Sequence, residues 1–252
     1  MLLSALLYLA AAVFLIGMGW RVFNWLRTPV PLKIVLTPGP KTSSGVAGRL
    51  AGEILVFRSL FKADRSLWVP AWLFHVSLAL LFVGHLGGLV IPKFAEATLS
   101  MNESQFENLA QNAGSVVGVV AIVAVLWLFI RRLASERPRK ISTFSDYFSL
   151  VLLLLIIGTG NHMRFLGGLD IVEARQFVWG WLTLSPTAPP ANPVFAAHII
   201  LVSALLIYIP FSKLVHIGGA TLFSPTLNQP NNTRDRRYAG SWSAGPATAK
   251  AK

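Results

Sequence analysis

The chain has 252 residues, of which 54% are hydrophobic and 13% charged, with a formal net charge of +12 and no cysteine. So much apolar side chain with so little charge cannot be covered by a polar surface, which points to a polytopic membrane protein. Without cysteine there is no disulfide framework, thiolate nucleophile, cysteine-ligated iron–sulfur cluster or covalent haem attachment.

Five apolar stretches are long enough to cross a hydrocarbon core of about 30 Å, which takes about 20 helical residues. They run roughly over residues 2–20, 68–91, 113–130, 144–163 and 193–211. The first has no basic residue ahead of its apolar run and Arg21 and Arg27 after it, so it reads as a retained helix rather than a cleaved signal. Between the first two spans, Leu50, Ile54, Phe57 and Phe61 alternate with Arg49, Glu53, Arg58, Lys62 and Arg65. That spacing predicts an amphipathic helix within Thr42 to Leu67, lying on the membrane surface or against a partner. Residues 165–193, with Trp179, Trp181 and several prolines, predict a structured interfacial loop. The tail from Asn228 to Lys252 has no periodicity and reads as extended or disordered unless a partner holds it. No internal repeat is present, and the expected partition is a five-helix membrane domain over 1–217, including a cytoplasmic loop at 21–67, and a cytoplasmic tail over 218–252.

Charge sets the expected orientation. Residues 21–69 carry eight Lys/Arg, 131–145 five and 213–252 six, whereas the alternate loops hold Lys93, Arg164 and Arg175. With the acidic residues included, the two faces carry +14 and −2. By the positive-inside rule the N-terminus is outside and the C-terminus cytoplasmic, as in a multi-pass protein of a prokaryotic inner membrane. Topology thus accounts for the basic charge, and no nucleic-acid partner is called for.

All five histidines fall in the spans or at their ends. An imidazole in hydrocarbon needs partners for a donor and an acceptor, which makes each a functional candidate. Depth pairs His75 with His216 toward the cytoplasmic side and His85 with His198 toward the outer side. Two trans-membrane pairs at two depths are what two six-coordinate b-type haems require. The 18 residues from His198 to His216 make five turns of an ideal helix, so both would share one face. The 10 residues from His75 to His85 leave those two about 80° apart, with rises of about 15 Å against about 27 Å for the two pairs. Tilt, or a bend at Pro210, would have to absorb the mismatch. Gly84, Gly87, Gly88, Gly114 and Gly118 would let a flat ring or a neighbouring helix approach. Arg21, Arg49, Arg58 and Lys213 on one side, and Arg164, Arg175 and Lys93 on the other, are candidate partners for haem propionates.

The His-x9-His run "WLFHVSLALLFVGHLGGLVIP" and the His-x17-His run "HIILVSALLIYIPFSKLVHIGG" together resemble the membrane gamma subunit of respiratory nitrate reductase, a five-helix dihaem cytochrome b. The ending "PFSKLVHIGGATLFSPTLNQPNN" and the motif "TGNHMRF" look closer to the DsrM family, the membrane subunit of the dissimilatory sulfite-reduction-associated transmembrane complex. The resemblance covers roughly residues 1–235. It implies an all-α bundle in which His75 and His216 bind the haem beside a cytoplasmic partner, and His85 and His198 the haem beside a quinol site. It also implies menaquinone or a related quinone as exchanging substrate. The implied partners are a heterodisulfide-reductase-like iron–sulfur subunit and other membrane or periplasmic subunits of a quinone-linked complex in sulfur metabolism. The nitrate reductase subunit has a lysine in its outer loop associated with the quinol site; ungapped alignment from His85 places Gln105 there. His162, with Asn161 and Arg164, is the other quinone-site candidate: an imidazole titrating near neutrality could exchange a proton while its neighbours hold a carbonyl. Three readings stay open from the residues alone: an electron-transfer subunit of the sulfur or the nitrate branch, a haem-free proton-coupled transporter, and a structural anchor. A haem spectrum separates the first from the others.

Overall fold

In the computed structural model, residues 1–29, 35, 37–90, 92–216, 218–224 and 226–232 are described. In chain order the helices are α1 (Leu2–Arg27), α2 (Ser43–Val56), α3 (Arg58–Ala63), α4 (Arg65–His85), α5 (Pro92–Thr98), α6 (Glu103–Ala134), α7 (Glu136–Ile141), α8 (Phe144–Phe165), α9 (Ile171–Leu182) and α10 (Pro193–Tyr208). A π-helical turn, Leu86–Val90, extends α4, and 3-10 turns at Ile209–Phe211 and Lys213–Val215 follow α10. Five segments are long and apolar enough to cross a membrane: Leu2–Arg27, Arg65–Val90, Glu103–Ala134, Phe144–Phe165 and Pro193–Phe211. These are the five expected stretches, lengthened at their ends because polar residues supply the caps.

The caps explain where each long helix begins. Asp64 accepts from the backbone N–H of Leu67 ahead of α4, and Asn102 and Gln105 form a reciprocal capping box on α6. The Asp146 carboxylate receives both the N–H and the hydroxyl of Thr143 at the start of α8. Asp170 caps α9, and Asn192 caps α10 with Pro193 in the first turn, where a missing N–H costs nothing.

The described residues divide into two compact units. In the first, comprising Met1–Gly19 and Asp64–Leu214, α4 packs on α6, α6 on α8, and α8 on α10. Phe74, Ala121, Ala124, Val125, Leu153 and Ile157 form the buried seam of α4, α6 and α8. A second cluster joins Leu7 of α1 to Ala174 and Phe177 of α9 and to Phe195 and Ile199 of α10. Tyr8 stacks on Trp181 at 5.7 Å between centroids and donates its hydroxyl to the Trp181 carbonyl at 2.8 Å. The segment expected as an interfacial loop therefore contains a twelve-residue helix, α9, whose Phe177 is fully buried.

The second unit holds Trp20–Ala63 and the chain from Val215 on. The single amphipathic helix expected within 42–67 is instead two, broken at Phe57, whose φ of 51° ends α2 in a left-handed cap. Glu53 then takes the Ser59 N–H at 3.0 Å and its hydroxyl at 2.7 Å, which satisfies the start of α3 and holds the break. Arg49 donates to the carbonyls of Leu227 and Gln229, and the Asn231 N–H to the Pro40 carbonyl at 2.7 Å. The first residues of the tail are thus bound rather than extended, while 233–252, for which disorder was expected, lie outside the described residues.

Candidate functional site: the paired histidines

His85 closes α4, and its Nδ1 lies 2.7 Å from the Leu81 carbonyl. A carbonyl only accepts, so Nδ1 carries the hydrogen and Nε2 keeps its lone pair. His75, nearly three turns earlier, is held alike, Nδ1 to the Ala71 carbonyl at 2.7 Å, with Phe74 edge-on at 5.2 Å. On α10, His198 Nδ1 lies 2.8 Å from the Thr159 hydroxyl of α8, which itself donates to the Leu155 or Ile156 carbonyl at 2.9 Å. With its one hydrogen committed, Thr159 accepts, and Nδ1 of His198 is again the protonated nitrogen. Neither His85 nor His198 has a hydrogen bond at Nε2 among the described residues.

Beside His198, Gly160 presents no side chain, and a Cβ there would sit 3.7 Å from the imidazole Cε1. No cluster of three or more His, Asp or Glu occurs among the described residues, so the histidines do not form a metal site made of protein donors alone. Single imidazoles with a free Nε2 instead suit the axial positions of an iron whose other ligands come from a macrocycle. The donor set fits haem.

The five ideal turns between His198 and His216 are not formed, and the chain leaves the α-helix at Pro210, one of the places where a bend was expected. α10 ends at Tyr208, and Pro210 sits in a 3-10 turn, because proline lacks the N–H that an α-helix needs there. His216 follows the second 3-10 turn, is exposed, and belongs to the second unit, whereas His75 belongs to the first.

Most of the other candidate side chains are engaged within the protein. Asn161 donates to the Gly118 carbonyl at 2.9 Å, and Arg164 to Gln111 Oε1 at 2.5 Å, so both lie on the α6 side of α8. Gly118 and Gly114 are the notches these side chains occupy: a Cβ on either would collide with Asn161 or Arg164. Gln105 is spent in the α6 capping box, while His162 and Lys93 are exposed. Lys213 pairs with Asp146 at 2.9 Å. Arg175 donates to the Gly88 carbonyl, in the π turn after His85, at 2.8 Å and pairs with Glu107 at 3.2 Å. Thr159 carries no role in the sequence reading, and Arg175, expected as a candidate partner for a haem propionate, is engaged instead with Gly88 and Glu107. A hydroxyl inside an apolar span was the available signal for Thr159.

An all-helical protein with five candidate membrane spans and lone histidines poised as ligands has the construction of a membrane electron-transfer subunit. The model of the nitrate reductase gamma subunit family matches residues 58–226, and the chain belongs to that family. It is 35% identical to the Hdr-like menaquinol oxidoreductase cytochrome b-like subunit of Archaeoglobus fulgidus, over 97% of this chain and 84% of the relative. The protein of the same name from Archaeoglobus profundus is 30% identical over 96% and 82% of the two chains. The nitrate reductase gamma chain of Bacillus subtilis is 33% identical over 58% of this chain and 69% of that one.

Proposed function

We propose that this chain is a dihaem cytochrome b that exchanges electrons between the membrane menaquinone pool and a cytoplasmic iron–sulfur partner. The observation that carries this reading is that His85 and His198, on two apolar membrane-length helices, each have Nδ1 already engaged in a hydrogen bond. His85 and His198 hold the outer haem and His75 and His216 the cytoplasmic one, with the N-terminus outside. Haem iron supplies one-electron redox chemistry at each depth. The chain's own work is to fix the ligand tautomers, through Leu81, Ala71 and Thr159. At the quinone side the exposed His162 exchanges the proton, and Asn161 or Arg164 would have to leave Gly118 or Gln111 to reach a carbonyl.

The two Archaeoglobus relatives, both called Hdr-like menaquinol oxidoreductase cytochrome b-like subunits, support menaquinol as substrate and a multi-subunit complex; the DsrM-type, sulfur-linked branch rests on the motifs after His198 and around His162. Purification of the complex tests this. The expected result is a reduced b-type spectrum with two haems per chain, and loss of haem in two groups when each ligand is changed to Ala: His75 with His216, and His85 with His198. A colourless protein made with adequate haem overturns the reading; a co-purifying nitrate reductase catalytic chain moves it to the nitrate branch. His162→Ala with unchanged quinol-driven haem reduction removes the proton role.

A further inference from the structure

Three histidines have Nδ1 fixed, but not in the same way. His75 and His85 donate to the carbonyl four residues back in their own helix, a partner no side-chain substitution can remove. His198 instead reaches across to α8, where the Thr159 hydroxyl lies 2.8 Å from its Nδ1 and the Ile156 carbonyl is a further backbone acceptor. The acceptor is built for this. Its hydroxyl hydrogen is taken up by the Leu155 and Ile156 carbonyls, both at 2.9 Å, which aims an oxygen lone pair away from α8 and toward α10. At the neighbouring Gly160 a Cβ would make ordinary contact with the imidazole, 3.7 Å from Cε1, so the ring packs directly on this part of α8.

We propose that Thr159 is a positioning residue for His198: its hydroxyl fixes the ring tautomer and orientation of this ligand from a second helix and, through the Nδ1 hydrogen, sets the electron density the imidazole offers to iron. The proposal rests on the dihaem reading above. A hydrogen bond at Nδ1 raises the basicity of Nε2, which favours Fe(III) over Fe(II) and lowers the potential of the haem so ligated. Removing it acts in the opposite direction, on one haem of the two, so the other serves as an internal reference.

The test compares Thr159→Val, which keeps the shape and removes the acceptor, with Thr159→Ser, which keeps the acceptor, in the purified complex. Redox titration followed at the haem bands is the readout. Thr159→Val is expected to shift the His85/His198 haem toward the reduced form about tenfold, equivalent to about 59 mV for one electron. Thr159→Ser is expected to titrate like the parent, and the second haem to stay put in both. An unchanged Val variant, or Val and Ser variants altered alike, overturns the proposal. If the Val variant loses the haem altogether, Thr159→Ala against Thr159→Ser decides: haem lost in Ala and kept in Ser supports the hydroxyl's role, and haem lost in both assigns Thr159 to packing. His198→Ala run in parallel separates the two levels. If it keeps both haems the dihaem assignment itself fails, whereas loss of one haem there with a silent Thr159→Val fails only the inference about Thr159.

Discussion

Asp64 shows how one side chain serves two ends. It caps α4 through the Leu67 N–H at 3.0 Å, accepts from the Ser66 hydroxyl at 2.6 Å, and pairs with Arg131 of α6 at 2.9 Å. The Ser66 and Leu67 hydrogen bonds, and then the Arg131 charge, hold its carboxyl below the ordinary value of 3.8. A carboxyl depressed on folding stabilises the protein fully above its unfolded value, and that contribution disappears as pH falls through the lower folded value. Thermal midpoints measured from about pH 6 downward are expected to fall less steeply in Asp64→Asn than in the parent, with a lower midpoint at neutral pH. Parallel curves would remove Asp64 from the acid response. At Phe57, by contrast, the backbone and not the side chain is the special feature: φ is 51°, where a Cβ costs about 1–2 kcal/mol. Phe57→Gly is expected to keep the helical content by circular dichroism and to leave the break between α2 and α3 in place.

At the scale of elements, α8 is the polar hub of the first unit. Thr159 reaches α10, while Asn161 and Arg164 reach into the glycine notches of α6. Small residues on membrane helices let backbones and side chains close in where a Cβ would hold them apart. Gly118→Ala must therefore displace Asn161, and the expected cost is about 1–3 kcal/mol, seen as a lower midpoint in detergent. A Cβ at Gly88 meets nothing within 4 Å, so Gly88→Ala should change the midpoint little. Equal effects would show that the notch is not what matters. Near the other end of α8, Asp146 both caps the helix and takes Lys213 from the segment after α10. Its loss in Asp146→Ala is expected to cost about 0.5–2 kcal/mol for the cap alone. Lys213→Met, which removes the pair but keeps the cap, should cost less.

For the whole molecule the decisive property is which side each loop occupies. The division of charge into +14 and −2 predicts that a phosphatase reporter fused within the α9–α10 connection is active and one fused within 135–142 is inactive. The reverse pattern inverts the orientation and with it the assignment of outer and cytoplasmic histidine pairs.

The five spans were legible in the sequence because they are local: helical length and apolar runs depend on neighbours along the chain. So was the weakness at Pro210, since proline breaks a helix wherever it stands in an interior. Where sequence reasoning went further, it assumed ideal helices. It measured His198 to His216 along ideal turns and took one helix within Thr42 to Leu67, and the structure ends α10 at Tyr208 and breaks the other at Phe57. Only the tertiary structure decided that Thr159 orients His198, that Arg175 grips the π turn behind His85, and that Gly114 and Gly118 receive Arg164 and Asn161. These contacts join residues 39 to 87 positions apart, and their geometry depends on how helices rotate about their axes when packed, which no pattern along a single helix encodes.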